Sequence, residues 1–186
     1  MTKWAKAVNP PGERAAAILD AATGVFLRYG YRKTSMDDLA RAAGLSRQGL
    51  YLHFRTKEAL FDAVVEHLAG SVRETALNAL ADGGRTVADR LADALAAVHD
   101  SPASTGLREL TGELPARLHH DVVAAIADLV RRNGIESRWR EHGVTADELA
   151  EHLFTASSGA RPDRRREQMA VAVRIVTRGG CPQRTV

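Results

Sequence analysis

Apolar residues recur every three to four positions along most of the chain, which is the period of an amphipathic α-helix. The first stripe predicts a helix from about Glu13 to Tyr29 that stops at Gly30. Its inward face is expected to consist of Ile18, Ala22, Val25, Phe26 and Tyr29. No stretch alternates apolar and polar residues as a half-buried strand does. The pattern therefore predicts an all-α protein.

Three further helix starts follow Gly30 at short intervals. Each is marked by a hydroxyl residue that can accept a hydrogen bond from a free amide of the first turn, namely Ser35, Ser46 and Thr56. Asp38 stands three residues after Ser35, which is the spacing of a capping box, and Gly44 can adopt the left-handed conformation that ends a helix. This layout indicates a helix-turn-helix over residues 35–54, whose second helix enters the major groove of DNA.

A long fourth helix is predicted from Lys57 to about Ala81, long enough to leave the first domain and enter a second. The pattern beyond it predicts a helix after Thr86, a loop over 101–106, a short helix over 107–114, a helix opened by Pro115 and interrupted at Gly134, and two last helices at about 146–157 and 164–177. The expected organisation is a basic arm at 1–12, a helix-turn-helix domain at 13–60, a helical regulatory and dimerisation domain at 61–178 and a tail at 179–186.

The start of the second short helix carries residues that suit base recognition. Arg47 can bind guanine through two hydrogen bonds, and Gln48 can bind adenine in the same way. Gly49 is unfavourable inside a helix, and two interpretations stand: close approach of the backbone to DNA, or a tolerated residue near a helix end. The alternative for Arg47 and Gln48 is a solvated polar face.

Side chains that can donate to DNA phosphates surround these three residues. They are Thr34, Ser46, Tyr51, His53 and Lys57. Residues 1–60 contain ten lysines and arginines but only five acidic residues, a balance of +5, whereas the whole chain of 186 residues carries +3. The positive charge is therefore concentrated where a polyanion would dock.

The segment from Ile18 to Val64 resembles the tetracycline-repressor (TetR) family of bacterial transcriptional regulators. The matching motifs are the Phe26–Tyr31 turn, Leu39-Ala40, Gly44-Leu45-Ser46, the reading helix Leu50–Phe54 and Lys57. The resemblance implies an all-α homodimer, a palindromic operator and a C-terminal domain that binds a small-molecule inducer. It also implies phosphate contacts from Thr34, Tyr51, His53 and Lys57. Leu52 departs from the family, in which an aromatic residue is frequent at this position, so a contact there does not carry over.

The second domain offers weaker signals. The resemblance implies that its last two helices form a four-helix interface with their twofold mates, and the alternative is a seam within one chain. His99, His119 and Trp139 are candidates for an inducer pocket, with a place at the edge of the core or on the surface as the alternative. The run His119-His120-Asp121 makes a poor metal site, because adjacent helical residues point about 100° apart. No metal or other cofactor is expected.

Several functions are not supported by the sequence. It contains no apolar run long enough to cross a membrane and no secretory signal, and Cys181 is its only cysteine, which fits a reducing cytoplasm. Motifs of nucleotide-binding, metallohydrolase and serine-hydrolase sites are lacking, so an enzyme is not expected. The arm residues Lys3, Trp4 and Lys6 form either a disordered tail or a minor-groove contact.

The sequence therefore predicts a cytoplasmic bacterial regulator that associates with the nucleoid when it binds double-stranded DNA. Its expected form is a homodimeric repressor that a small molecule releases from a palindromic operator. The alternative is a DNA-binding regulator that a protein partner controls, or an activator, without a small-molecule inducer. A helical enzyme is the remote alternative.

Overall fold

The computed structural model describes residues 11–159 and 164–178, and these residues form helices and turns without any β-strand. The helices are α1 (Pro11–Tyr29), α2 (Met36–Ala42), α3 (Arg47–His53), α4 (Lys57–Ala81), α5 (Val87–Asp100), α6 (Pro102–Thr111), α7 (Ala116–Arg132), α8 (Ile135–Trp139), α9 (Ala146–Ser158) and α10 (Arg165–Arg178). The predicted all-α class is confirmed. The arm residues Lys3, Trp4 and Lys6, and Cys181 of the tail, lie outside the described residues.

One predicted loop is wrong. The stretch from Ser101 to Gly106 was expected to be irregular, but α6 already begins at Pro102. Proline suits the first position of a helix because its missing N–H would be unpaired there, and its ring fixes a helical φ. The hydroxyl of Ser101 accepts a hydrogen bond from the amide of Ser104 at 3.1 Å and so acts as the cap. The serine followed by a proline is therefore a helix start, where the pattern of the sequence predicts a loop.

The first compact unit comprises the described residues up to Leu68 together with Gly106–Gly112. Its core is lined by one apolar face from each of α1 to α4 and by one leucine of α6. The buried members include Ile18, Phe26, Leu39, Leu50, Leu60, Val64 and Leu107. Phe26 and Phe61 meet edge to face, with ring centroids 5.2 Å apart. Tyr29 is 54% exposed, so its predicted place on the inward face is wrong; it ends α1, and its ring stacks under the guanidinium of Arg28 instead.

The second compact unit comprises Ala69–Thr105 and the described residues from Glu113 onwards. In it, α7 packs on α9, and α10 packs on both α5 and α9. The predicted apolar stripes of these helices are buried, among them Leu91, Leu95, Val122, Ile126, Leu153 and Val173. Gly134 has a φ of 66°, a left-handed conformation that separates α7 from α8, as the sequence indicated.

The start of α9 gives a test of this helical unit. The Thr145 amide and hydroxyl each donate to Glu148 at 2.8 Å, and the Thr145 hydroxyl accepts from the Glu148 amide at 3.2 Å. The backbone hydrogen bond first, and then the hydroxyl, lower the pKa of the Glu148 carboxyl. A lowered pKa means that this carboxylate stabilises the fold above its unfolded pKa of about 4.3 and loses that effect as the pH falls through the folded value.

Thr145→Ala is expected to lower the free energy of unfolding by about 1 kcal/mol at pH 7, because the cap is lost. The difference from the wild type should shrink as the pH falls and Glu148 is protonated, since part of the capping box is then absent from both proteins. Urea unfolding of both proteins at pH 7 and in the acid range measures this difference in the free energy of unfolding. The control is Thr75→Ala in the exposed interior of α4, which should be neutral or stabilise by up to about 0.7 kcal/mol. Equal effects of the two substitutions would contradict the capping role.

Candidate DNA-binding site

The start of α2 is fixed by a complete capping box. The Ser35 hydroxyl accepts from the Asp38 amide at 3.2 Å, and Asp38 accepts from the Ser35 hydroxyl at 2.6 Å and from its amide at 3.1 Å. These bonds, with the hydroxyl foremost, lower the pKa of Asp38, so its carboxylate stays charged at the positive end of the helix dipole. The predicted Ser35–Asp38 box is confirmed, and it sets the direction of the helix that supports α3.

The turn into α3 follows from two residues. Gly44 has a φ of 66°, and its amide donates to the Arg41 carbonyl at 3.2 Å. Ser46 then caps α3 by accepting from the Gly49 amide at 3.0 Å. A Cβ on Gly49 would lie 3.2 Å from the Ser46 hydroxyl oxygen, which is tighter than an ordinary contact. Gly49 therefore keeps room for the cap, a local reason that neither sequence interpretation contained.

The orientation of α3 is determined by Leu50, the only buried residue of this helix. With about 100° per residue, Gln48 and Leu52 each lie about 160° around the helix from Leu50 and thus face away from the core. Gln48, Tyr51, Leu52 and His53 are exposed. Among the described contacts, none engages the amide of Gln48. The face that points outward is therefore available to a partner.

Arg47 lies on the flank of α3 and has two neighbours within the domain. Its guanidinium is 3.3 Å from the Asp37 carboxylate of α2 and 5.6 Å from the centre of the Tyr51 ring. The Tyr51 side chain and, to a smaller extent, the negative charge of Asp37 raise the pKa of the Arg47 guanidinium, so this side chain keeps its positive charge. The Arg47 and Asp37 side chains are 60% and 52% exposed, which makes this a solvated pair of small energy that a ligand can replace.

The five predicted phosphate donors fall into two groups in the structure. Ser46, Tyr51 and His53 are exposed on or beside α3. Thr34 is only 4% exposed, and its hydroxyl donates to the Gly30 carbonyl at 2.8 Å. Lys57 is half-buried at the start of α4. Thr34 and Lys57 thus donate to groups inside the domain, and the phosphate contacts of all five residues remain predictions.

Lys57 ties the turn after α1 to the start of α4. Its ammonium donates to the Tyr31 and Thr34 carbonyls, each at 3.0 Å, and lies 4.2 Å from the centre of the Tyr31 ring. The Tyr31 hydroxyl donates to Glu58 at 2.7 Å; this bond raises the pKa of Tyr31 and lowers that of Glu58. Three side chains therefore clamp the segment that leads into α2. The sequence predicts Lys57 only as a phosphate donor. The roles of Tyr31 and Glu58 in this cluster have no local signal in the sequence, because the contacts join residues far apart along the chain.

The comparisons with known proteins agree with this geometry. Residues 18–64 match the profile of the bacterial regulatory proteins of the tetR family. The HTH-type transcriptional repressor Rv1474c of Mycobacterium tuberculosis is 33% identical over 159 residues, which are 78% of this chain and 79% of that protein. This chain belongs to the TetR family.

Two further similarities extend the finding. The A-factor receptor protein of Streptomyces griseus is 33% identical over 112 residues, 58% of this chain, and the match spans only 37% of that receptor. A TetR-family regulator from Mesorhizobium loti shares the fold, with a TM-score of 0.66, 22% identity and coverage of 89% of this chain and 95% of that one. The chain is thus a DNA-binding transcriptional regulator of the TetR family and, as in that family generally, not an enzyme.

The three pocket candidates of this TetR-family chain lie in its second unit, and the structure brings two of them together. The rings of His99 and His119 have centroids 5.4 Å and 4.3 Å from that of Phe154. His99 is buried, with its Nε2 at 2.8 Å from the Ser157 hydroxyl, whereas His119 is 3.0 Å from Glu151 on the surface. Trp139 lies apart from this pair and donates from its indole N–H to the Val176 carbonyl at 3.0 Å.

Metal binding and membrane insertion can also be judged over the residues that the structure describes. Within 11–159 and 164–178, no three His, Cys, Asp or Glu side chains are grouped so that they could hold a metal ion. No helix in the same ranges is long and apolar enough to cross a membrane.

Lys57→Met removes the ammonium but keeps the length of the side chain. We expect the free energy of unfolding to fall by about 1–3 kcal/mol, because two carbonyls lose a charged donor. Thermal unfolding of the full chain measures this, with Lys33→Met, an exposed lysine of the same turn, as the control. An unchanged midpoint for Lys57→Met would contradict the clamp. The salt dependence of DNA binding tests the phosphate contact. If the slope of log affinity against log salt concentration is lower by about one in Lys57→Met than in the wild type, Lys57 also contacts a phosphate.

Proposed function

We propose that this chain is a homodimeric repressor that binds a palindromic operator and is released by a small molecule. The observation that carries the proposal is the outward face of α3, where polar and aromatic side chains are exposed on a helix fixed by Ser46 and Leu50. Such a helix can enter the major groove without rearrangement. The net positive charge of residues 1–60 also favours DNA as the partner. A regulator of chromosomal DNA would act in the bacterial cytoplasm.

Base recognition is assigned to the first turn of α3. Gln48 reads adenine, Arg47 reads guanine after leaving Asp37, and Gly49 lets the backbone approach the bases. Ser46, Tyr51 and His53 contact phosphates, which position the helix but carry no sequence information. Thr34 and Lys57 hold the turn that supports α2, and the third N–H of Lys57 remains able to reach a phosphate.

The dimer is assigned to α9 and α10. α10 has a second apolar side besides its buried one, since Val171 is 44% and Ile175 58% exposed. These residues, with His152 and Gln168, line a groove along the two helices. Two copies related by a twofold axis would cover this side of α10. The twofold would also set the two reading helices about 34–36 Å apart, as a palindrome requires.

Release by a small molecule is supported by a relative and by the histidines of the second unit. The relative from Streptomyces griseus is a receptor, and its match of 112 residues is longer than the first unit alone. A ligand that binds the released conformer more tightly would shift the population away from the operator-bound form. The histidine pair beside Phe154 supplies polar and aromatic groups for such a ligand. A screen of a bacterial metabolite library for compounds that change operator affinity tests this. If no compound changes the affinity, control by a protein partner, or activation, is favoured.

Arg47→Ala should weaken binding to the preferred DNA by roughly 1–3 kcal/mol for each half-site and relax the preference at one base pair of each half-site. Selection from random duplexes by the full-length wild type, followed by fluorescence anisotropy on every single-base variant, measures both effects. Arg132→Ala on α7 removes the same charge from an exposed position and is the control. Unchanged specificity of Arg47→Ala would show that Arg47 is not a reading residue.

Ile175→Glu should convert the dimer into monomers, because the twofold axis would place two carboxylates in one apolar contact. The cost of such uncompensated buried charge is about 3 kcal/mol or more. Light scattering coupled to gel filtration gives the mass, and anisotropy gives the accompanying loss of operator affinity. Leu77→Glu, at a partly exposed leucine of α4, is the matched control and should remain dimeric. A dimer that survives Ile175→Glu would place the interface elsewhere.

A further inference from the structure

Leu52 is 88% exposed, far more than any other large apolar side chain among the described residues. The next are Ile175 at 58% and Tyr29 at 54%. It stands in the middle of the reading surface rather than at the end of a loop. Its neighbours along the chain, Tyr51 and His53, are exposed as well. A leucine here contributes nothing to the core of the first unit, so its apolar surface is left for a partner of α3.

The position of Leu52 on the helix indicates which partner that is. Leu52 follows Gln48 by four residues, so the two side chains lie about 40° apart around α3 and about 6 Å apart along it. Both point directly away from the buried Leu50. The two side chains therefore form one strip at the centre of the outward face. In contrast, Arg47 lies on the flank and is paired with Asp37.

In the major groove, only one base presents an apolar group. The thymine C5-methyl group projects into the groove, and aliphatic side chains recognise it by contact. We propose that Leu52 is a specificity-determining residue that packs against a thymine methyl group in each half-site. This inference rests on the proposed function, because it needs α3 in the major groove.

The strip also predicts how two bases of the half-site are arranged. The separation of about 6 Å between Gln48 and Leu52 along α3 corresponds to one or two base-pair steps of about 3.4 Å. The thymine that Leu52 contacts should therefore lie one or two steps from the adenine that Gln48 binds. Two A·T positions at this spacing would be the central feature of the half-site.

The test uses a duplex that the full-length wild type selects from random DNA. Each thymine is replaced singly by deoxyuridine, which lacks the methyl group but keeps every hydrogen-bonding atom. A single replacement is expected to weaken wild-type binding about fourfold, the value of one buried methyl-sized group, and the matching replacement in both half-sites about sixteenfold. Leu52→Ala, which removes the contact from both half-sites, should bind the unmodified duplex about sixteenfold more weakly or worse, and should bind it and the deoxyuridine duplexes equally.

Controls distinguish failure of the Leu52 contact from loss of the fold and from failure of the proposed function. Leu52→Ala should unfold at the wild-type temperature, because the side chain it shortens is almost fully exposed. If wild type selects no preferred sequence, the proposed function fails. If a sequence is selected but no deoxyuridine replacement weakens binding, Leu52 reads no methyl group. If a replacement weakens wild type and Leu52→Ala by the same factor, another residue makes the contact, and the inference is overturned.

Discussion

The burial of Leu50 is the constraint on which the candidate site depends. It is the single buried residue of a seven-residue helix, and a helix this short is not stable in isolation. Packing of that one side chain, together with the Ser46 cap, fixes both the existence and the rotation of α3. Because the rotation is fixed, Gln48 and Leu52 must point outward. The candidate specificity of the protein is thus a consequence of one apolar contact on the opposite side of the helix.

Some polar side chains around the site form hydrogen bonds within the domain, whereas others are assigned to DNA. Lys57 and Thr34 donate to carbonyls of the turn after α1, which holds α2 in place. Arg47 keeps an exposed carboxylate partner in Asp37 and has to exchange it for a base. Binding would then involve an exchange of ion-pair partners at the flank of α3, whereas its central strip needs none. The central strip of α3 is therefore already arranged for binding, and only Arg47 at its flank has to change its partner.

Much of this structure could be predicted from the sequence, because short-range rules determine it. The Ser35–Asp38 box, the Gly44 turn and the long α4 follow from signals within a few residues. Pairings between distant residues could not be predicted: Lys57 meets carbonyls more than twenty positions earlier, and Arg47 meets Asp37 on another helix. The start of α6 at Pro102 differs from the predicted loop, although Ser101 and Pro102 are local signals for a helix start.

The proposed function requires α3 to occupy the major groove of two half-sites. Protection of guanine N7 from dimethyl sulfate detects this occupancy, since this atom is exposed only in the major groove. On a duplex selected by the protein, we expect two protected patches on one face of the DNA, with centres about 10 base pairs or a multiple of that apart. Full reactivity of every guanine N7 in a saturated complex, or a single protected patch, would contradict it.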